Sequence, residues 1–238
     1  MRLGGEVSLG GQNHPACATR LYSTGSMDQP TNREIEIKVR VHDPAALLNG
    51  LRRMGAVSKG RVFEQNTVYD TQNSAFRRAG RLLRLRLETP APRSARATGT
   101  RLVRPKLHPR RAILTAKAPP HPGGCGSHRA RYKVRLEREL VLHDPAQFAR
   151  SITSLGLRPS FIYEKFRSTF ELPKLHLDLD ETPVGTFLEL EGSPRAIDRA
   201  ARALGFTPRD YFRGTYWDVY AADCRRRGRP LKNMVFPS

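Results

Sequence analysis

The fold is decided by a short stretch, Glu34-Ile35-Glu36-Ile37-Lys38, in which charged and apolar residues alternate with a period of two. That period places successive side chains on opposite faces of a β-strand, so one face is charged and the other is apolar. Six further stretches repeat the alternation, at 83–88, 115–117, 133–139, 165–167, 176–180 and 187–191. Seven such strands, with acids and bases mixed on the charged face, predict a sheet that closes around a polar interior.

The composition is that of a globular protein. Of the 238 residues, 38% are apolar and 27% are charged. The sequence contains no run of about 18 apolar residues, so we predict no transmembrane helix and no membrane partner. The three cysteines, Cys17, Cys125 and Cys224, are widely spaced and odd in number, which favours a reducing compartment. We therefore predict a cytoplasmic protein.

A formal net charge of +20 raises the alternative of a module that binds RNA or another polyanion. Much of this charge lies outside the alternating strands. An insertion at about 89–111 is rich in arginine and contains no acid, and the segment 223–238 is also basic. We interpret the two as a loop insertion and a solvated tail. The excess charge then says little about the specific ligand, and nucleic acid is not the predicted partner.

Residues 1–26 are rich in Gly and Ser and show no periodicity. They lack the continuous apolar core of a secretory signal, and the case for an organelle transit peptide is weak. We predict that residues 1–30 form a disordered extension, or that the natural start is Met27. The folded domain is then predicted over residues 31–222.

An internal repeat at an offset of 101 residues divides the domain into halves. His42-Asp43-Pro44-Ala45 matches His143-Asp144-Pro145-Ala146. Each copy predicts a strand, then a helix with Asp as its N-cap and Pro at its first position, then another strand. Gly55 and Gly156 lie where these helices would end in the left-handed conformation. Because a helix start explains the Asp-Pro pairs, they need no catalytic role.

These elements together predict an α+β fold, an eight-stranded antiparallel closed β-barrel with helices packed outside, built from two related strand–helix–strand halves. Segments 193–205 and 210–224 predict two more helices. The second contains five aromatic residues, which we interpret as packing on the barrel wall rather than as a base-stacking platform. Charged strand faces point inward, and because unpaired buried charge is costly, the interior must be wet, ion-paired or occupied by a ligand.

The charged interior fits a metal-bound polyphosphate. Carboxylate oxygens suit Mg²⁺ or Mn²⁺, whereas Arg and Lys bind phosphate oxygens. A solvent-facing sheet with cross-strand ion pairs is the alternative. The inward acids are predicted to be Glu34, Glu36, Glu88, Glu137, Glu139, Glu171, Asp178, Asp180, Glu189 and Glu191. The inward bases are predicted to be Lys38, Arg84, Arg86, Lys117, Lys133, Arg135, Lys165 and Arg167.

The motifs also carry a family resemblance. Glu34-Ile35-Glu36-Ile37-Lys38 matches an ExExK signature, and residues 63–70, 82–86, 163–167 and 180–191 resemble motifs of the same family's bacterial cyclase-like branch. Over about residues 33–220 the chain therefore resembles the CYTH superfamily, the triphosphate tunnel metalloenzymes. This family groups class IV adenylate cyclases, thiamine triphosphatases and inorganic triphosphatases.

The resemblance implies an eight-stranded tunnel and a metal-dependent reaction on a triphosphate, with Mg²⁺ or Mn²⁺ as cofactor. By position, the implied metal-site carboxylates are Glu34, Glu36, Glu189 and Glu191, with Glu137 and Asp180 as additions. The implied triphosphate clamp is Lys38, Arg84, Arg86, Lys117, Arg135, Lys165 and Arg167. Within the clamp, Lys38, Arg84 and Arg86 are the predicted catalytic residues.

The predicted function is that of a class IV adenylate cyclase, which converts ATP to cyclic AMP and pyrophosphate. Hydrolysis of inorganic tripolyphosphate or thiamine triphosphate is the alternative, because the strand motifs serve either reaction. A non-catalytic module that binds RNA or another polyanion is the third hypothesis. The resemblance to cyclases also implies a homodimer.

Overall fold

The computed structural model of the protein describes Met1 and residues 32–92, 102–120 and 131–237. The chain divides into two units, Met1–Pro30 and Thr31–Ser238. Apart from Met1, the predicted N-terminal extension with its start at Met27 lies outside the described residues, as does the part of the basic insertion at 93–101. In the described parts of the chain, no helix has both the length and the apolar character needed to span a membrane.

The described residues of the second unit form eight strands, five α-helices and one 3-10 turn. The strands are β1 (Asn32–Val41), β2 (Val57–Asp70), β3 (Leu82–Pro90), β4 (Arg111–Ala118), β5 (Lys133–Val141), β6 (Arg158–Leu172), β7 (Leu175–Thr182) and β8 (Gly185–Gly192). The helices are α1 (Pro44–Arg53), α2 (Ala75–Arg78), α3 (Pro145–Ser154), α4 (Pro194–Ala203) and α5 (Tyr216–Arg226), and the 3-10 turn is Pro208–Asp210.

The strands close into a barrel in the order β1-β5-β4-β3-β2-β6-β7-β8. Every neighbouring pair is antiparallel. On β1, Glu36 lies opposite Lys133 of β5 on one side and opposite Glu191 of β8 on the other. The predicted closed antiparallel barrel is confirmed, and its register places the charged positions of β1 between two other charged strands.

The two related halves are confirmed by the strand order. If each strand of β1–β4 is exchanged with its counterpart in β5–β8, so that β1 takes the place of β5 and so on, the same pairs of strands remain neighbours around the barrel. The helices that follow β1 and β5 also begin alike. Asp43 (φ −122°, ψ 92°) accepts hydrogen bonds from the backbone N–H groups of Ala45 and Ala46, and Asp144 (φ −122°, ψ 88°) accepts one from Gln147. Both Asp-Pro pairs are therefore helix starts, as predicted.

Helices α1 and α4 cover the outer wall formed by β1, β7 and β8. Ile37, Val39, Leu188 and Leu190 point outward from the strands, and Ile197 of α4 meets them; all five are completely buried. Burial of such a side chain contributes about 1.5–3 kcal/mol. Because the apolar parity is committed to this outer core, the other parity of each strand must face the interior.

The C-terminal segment packs on the outer wall of β2 and β6. The Phe236 ring lies 5.3 Å from that of Phe166 and 6.2 Å from that of Phe63, measured between centroids. Met234 is completely buried, and its N–H donates to the carbonyl of Ile162. The expectation of a solvated tail is therefore wrong for this part of residues 223–238, because its apolar side chains complete an outer cluster.

The distal part of the basic insertion joins the same wall. Leu102 and Leu107 pack against the cluster that contains Phe236. The backbone N–H of Arg104 donates to Pro237, and its guanidinium Nε donates to the completely buried carboxylate of Glu164. Residues 102–107 are therefore part of the folded wall, although the sequence predicts a loop there.

Helix α5 is shorter than the predicted helical segment 210–224. It begins at Tyr216, because Thr215 and Asp218 form a capping box that fixes its first turn. Tyr211 and Phe212 precede the helix, and Phe212 exchanges backbone hydrogen bonds with Lys38 of β1. Tyr216 belongs to a buried cluster with Phe161 and Tyr163 of β6 and Phe187 of β8. These strand residues have the inward parity, so Tyr216 packs against the interior of the barrel rather than on its outer wall as predicted.

Candidate functional site

A cavity of about 620 Å³ lies inside the barrel, in the size range of small-molecule sites. Every predicted site residue except Asp180 lines it: Glu34, Glu36, Glu137, Glu189 and Glu191, with Lys38, Arg84, Arg86, Lys117, Arg135, Lys165 and Arg167. Two further acids expected to face inward do not line it. Glu171 is exposed at the end of β6, where it pairs with Lys59, and Glu88 lies near Arg111.

The bases gather on the walls formed by β1, β3 and β6. Lys38 Nζ lies 2.8 Å from Glu189 Oε1. Arg84 donates from Nη1 to the Tyr163 hydroxyl at 3.1 Å and from Nη2 to Thr115 Oγ1 at 3.0 Å. Lys38 and Arg84 are almost completely buried. Fixed guanidinium and ammonium groups of this kind are well suited to hold phosphate oxygens.

Glu64 lies at the centre of the bases, a residue that the sequence prediction left out of the site. Its carboxylate is completely buried, 3.4 Å from Lys165, 3.5 Å from Arg167 and 3.6 Å from Arg86. Burial opposes ionisation, but these cations hold the pKa of Glu64 well below its ordinary value. The signal that identifies it is its parity: Glu64 and Asn66 share the face of β2 that points inward, and both are completely buried.

Asp180 lies behind the cavity lining and is completely buried. It accepts hydrogen bonds from Lys165 Nζ at 2.8 Å, from the Arg167 guanidinium at 2.6 and 2.7 Å, and from the Tyr216 hydroxyl at 2.6 Å. Its described contacts therefore hold two bases of the clamp in place, whereas its assignment as a metal ligand stays a prediction.

The other acids form a group around Glu34. Lys117 Nζ lies between Glu34 and Glu137, 2.7 and 3.1 Å from their carboxylate oxygens. Burial, followed by repulsion from Glu36, raises the pKa of Glu34 to about 7 in spite of Lys117. Burial and repulsion from Glu137 and Glu36 also raise the pKa of Glu191. These carboxylates are therefore crowded, and their mutual repulsion is only partly relieved by lysine.

A sequence profile of the CYTH domain matches residues 32–204 of the chain. The chain belongs to the CYTH family. The profile covers all eight strands, so it includes every predicted site residue. No curated protein sequence matches this CYTH chain.

Solved structures share the fold of this CYTH protein at low sequence identity. A protein from Vibrio parahaemolyticus, described as a candidate adenylate cyclase, is 18% identical with a TM-score of 0.61, and the match covers 79% of this chain and 97% of that one. The PH1819 protein of Pyrococcus horikoshii is 20% identical with a TM-score of 0.61, covering 80% and 99%. The PH1012 protein of the same organism is 20% identical with a TM-score of 0.59, covering 78% and 98%.

The acids of this CYTH protein fit a divalent cation. They offer only carboxylate oxygens, the donors that Mg²⁺ and Mn²⁺ prefer. Burial and repulsion from Glu36 raise the pKa of Glu34 to about 7, so a bound cation would stabilise its charged form. Among the described residues, no three His, Cys, Asp or Glu side chains already converge on one point. Instead, Lys117 and Lys133 reach into the acids: Lys133 pairs with Glu36 and, although burial opposes it, lowers the pKa of Glu36 to about 2.

One end of the cavity is aromatic. Tyr69, Phe161 and Trp217 line it there, next to the connection between β2 and β3. The Trp217 ring packs edge-on against Phe161 at 5.0 Å, and the guanidinium of Arg77 lies 4.7 Å from the Trp217 centroid. The sequence prediction treats the aromatic residues of α5 only as wall packing, because helical spacing does not reveal that Trp217 also borders the cavity.

Proposed function

We propose that this CYTH protein is a divalent-metal-dependent enzyme that acts on a nucleoside triphosphate and converts ATP to cyclic AMP and pyrophosphate. The observation that carries the proposal is the lining of the barrel cavity, where fixed bases and crowded carboxylates face the same space. Phosphoryl chemistry of this kind needs positioning and charge neutralisation more than covalent catalysis.

Unpaired donors support a bound anion. Among the described residues, the buried Nε atoms of Arg84, Arg86 and Arg135 have no hydrogen-bond partner, although all three side chains line the cavity. Arg86 Nε has an ion-pair contact only, with Glu64 at 3.6 Å. A buried donor that lacks a partner costs about 1–3 kcal/mol. Phosphate oxygens would remove this cost, so Arg84, Arg86 and Arg135, together with Lys38, Lys165 and Arg167, are proposed to hold the triphosphate.

Crowded acids support a bound metal. Glu34, Glu36, Glu137 and Glu191 are proposed to hold Mg²⁺ or Mn²⁺, with Glu189 between them and the bases. When bound, the ion supplies charge neutralisation and polarises a phosphoryl oxygen. The residues of the chain would then align the ribose 3′-hydroxyl with the α-phosphorus, so that a new O–P bond forms there while pyrophosphate leaves.

The aromatic end of the cavity favours an organic triphosphate over inorganic tripolyphosphate. Phe161 and Trp217 offer aromatic surface beside the bases, which suits a stacked nucleobase. Thiamine triphosphate also carries aromatic rings, so its hydrolysis is the second candidate function supported by the same observation. Water would then attack the terminal phosphorus.

The test is product analysis after incubation with Mg²⁺ or Mn²⁺ and, separately, ATP, thiamine triphosphate and tripolyphosphate. Cyclic AMP with pyrophosphate is the expected result. Orthophosphate from thiamine triphosphate, without cyclic AMP from ATP, would replace the cyclase by a triphosphatase. Absence of product from all three substrates would contradict the proposal.

Glu36→Gln separates a site in the cavity from any other source of activity. This change removes one carboxylate oxygen and its negative charge from the proposed metal site, and we expect metal-dependent turnover to fall about 100-fold or more while the thermal unfolding midpoint stays close to wild type. The matched control is Glu171→Gln, because Glu171 is an exposed acid outside the cavity lining. If the two variants lose turnover equally, the cavity assignment is wrong.

A further inference from the structure

Tyr163 is a titratable side chain inside the cavity to which the proposed function gives no role. It lies on β6 two residues before Lys165, so its side chain shares the inward face with the clamp. The residue is 6% exposed and lines the cavity. Its ring is stacked on Phe161 and Tyr216, with centroids 5.7 and 5.5 Å away, so the position of the hydroxyl is fixed by packing.

The Tyr163 hydroxyl accepts a hydrogen bond but, among the described residues, has no acceptor for its own proton. The donor is Arg84 Nη1, at 3.1 Å. Its stacked neighbour Tyr216 is the opposite case, since that hydroxyl donates to Asp180 at 2.6 Å and its pKa is raised well above 10. Of the stacked pair Tyr163 and Tyr216, only Tyr163 therefore has an O–H free to meet a ligand in the cavity.

The groups that face the Tyr163 hydroxyl are positively charged. They are Arg84 and Arg86 of β3 and Lys165, which lies on β6 with Tyr163. Helix α5 contributes only the ring of Tyr216. Burial alone would raise the pKa of Tyr163, but these cations and the hydrogen bond from Arg84 outweigh it, so the pKa is lowered from 10. A phenolate formed here would be stabilised, which makes the neutral phenol a better proton donor.

We propose that Tyr163 is the general acid of the reaction, donating its proton to the phosphoanhydride oxygen that leaves the attacked phosphorus. This assignment rests on the proposed function. It adds a catalytic residue that the charge pattern does not identify, and it applies to the cyclase and to the triphosphatase alike, because a phosphoanhydride oxygen leaves in both.

Every bond and proton of the proposed step can be accounted for. The nucleophile oxygen forms a bond to phosphorus, and the bond from that phosphorus to the bridging oxygen breaks with its electron pair moving to the bridging oxygen. That oxygen takes the phenol proton, leaving a phenolate beside Arg84 and Lys165. The proton lost by the nucleophile passes to water, and the phenolate regains a proton from water before the next turnover.

Tyr163→Phe removes the proton donor and keeps the stacked ring. We expect kcat to fall about 100-fold or more, within the range typical of general acid catalysis, with KM close to wild type. In the wild type, kcat should also decline at alkaline pH as the phenol ionises, and this decline should be absent from the variant. Tyrosinate absorbance should show one group titrating below pH 10 in the wild type that the variant lacks.

The matched control is Thr115→Val. It removes the other hydroxyl that accepts from the Arg84 guanidinium, at Thr115 Oγ1, but removes no proton donor aimed at the bases. If Tyr163 only positions Arg84, the two variants should have similar kcat and both should keep the alkaline decline. That result would overturn the proposal.

A second measurement replaces Tyr163 with 3-fluorotyrosine, whose phenol is more acidic and nearly the same size. The alkaline decline in kcat should move to lower pH, whereas an unmoved decline would overturn the assignment. Failure of the Tyr163 assignment can be told apart from failure of the proposed function. If the wild-type chain turns over no triphosphate, both the proposed function and the assignment of Tyr163 are wrong. If the wild type is active but the alkaline decline in kcat does not move, only the assignment of Tyr163 is wrong.

Discussion

Glu34 connects the chemistry of the cavity to the stability of the fold. Its pKa is raised from 4.5 to about 7, first by burial and then by Glu36. Because the folded state binds this proton more tightly than the unfolded state, the stability it contributes is full below pH 4.5 and is lost as pH rises through 7. The loss is roughly 3 kcal/mol, at about 1.4 kcal/mol per pKa unit.

This predicts that the chelator-treated protein becomes less stable between pH 5 and pH 8.5, and that Glu34→Gln removes much of this change. Urea unfolding at the two pH values measures it. Glu36 does not interfere, because its lowered pKa of about 2 affects stability only below pH 4.5. Glu171→Gln is the control and should lose as much stability between the two pH values as the wild type. If Glu34→Gln also loses as much as the wild type, the raised pKa of Glu34 is contradicted.

Side chains on clearly alternating strands were predictable residue by residue. Strands β1 and β3 alternate over residues 34–41 and 83–88, so the inward parity of Glu34 and Arg84 follows from the sequence alone. Glu64 was missed as a site residue because β2 mixes polar and apolar side chains on both parities. The parity of a residue also does not tell how deeply its side chain is buried. Asp180 faces inward but lies behind the cavity lining, where it accepts a hydrogen bond from the hydroxyl of Tyr216, 36 residues later in the sequence.

At the scale of elements, the C-terminal segment acts as an external brace of the barrel. Phe236→Ala should destabilise the protein by about 3–4 kcal/mol, because a ring that is 4% exposed leaves a cavity beside Phe63 and Phe166. Leu231→Ala is the control in the same segment, since Leu231 is 44% exposed, and it should change stability by less than about 0.5 kcal/mol. Equal effects in urea unfolding would rule out the brace.

Helices α1, α3 and α4 were predictable because each begins with a capping residue followed by proline, signals contained in a few adjacent positions. The packing of the C-terminal segment on the barrel could not be predicted from the sequence, for a physical reason. Met234-Val235-Phe236 is a short apolar run near many basic residues, and the burial of Phe236 depends on Phe63 and Phe166, which are distant in sequence. A local pattern cannot report a contact whose partner it does not contain.

For the whole molecule, the net charge of +20 keeps a polyanion-binding hypothesis open to test. Deletion of residues 93–101 removes three arginines and spares Leu102 and Leu107, which pack on the outer wall. We expect this deletion to weaken RNA binding and flatten its salt dependence, while triphosphate turnover is retained. Turnover that is lost with the deletion but kept in Glu36→Gln would move the function from the cavity to the insertion.

The barrel order also has a consequence for the synthesis of the protein. Both neighbours of β1 come late in the chain, since β5 begins at Lys133 and β8 at Gly185. A nascent polypeptide therefore carries β1 with both edges unpaired while the five elements from α1 to β4 are translated. Open strand edges promote aggregation, and charged side chains protect against it. The alternating acids and lysine of β1 therefore protect the growing chain from aggregation before they take part in the proposed site.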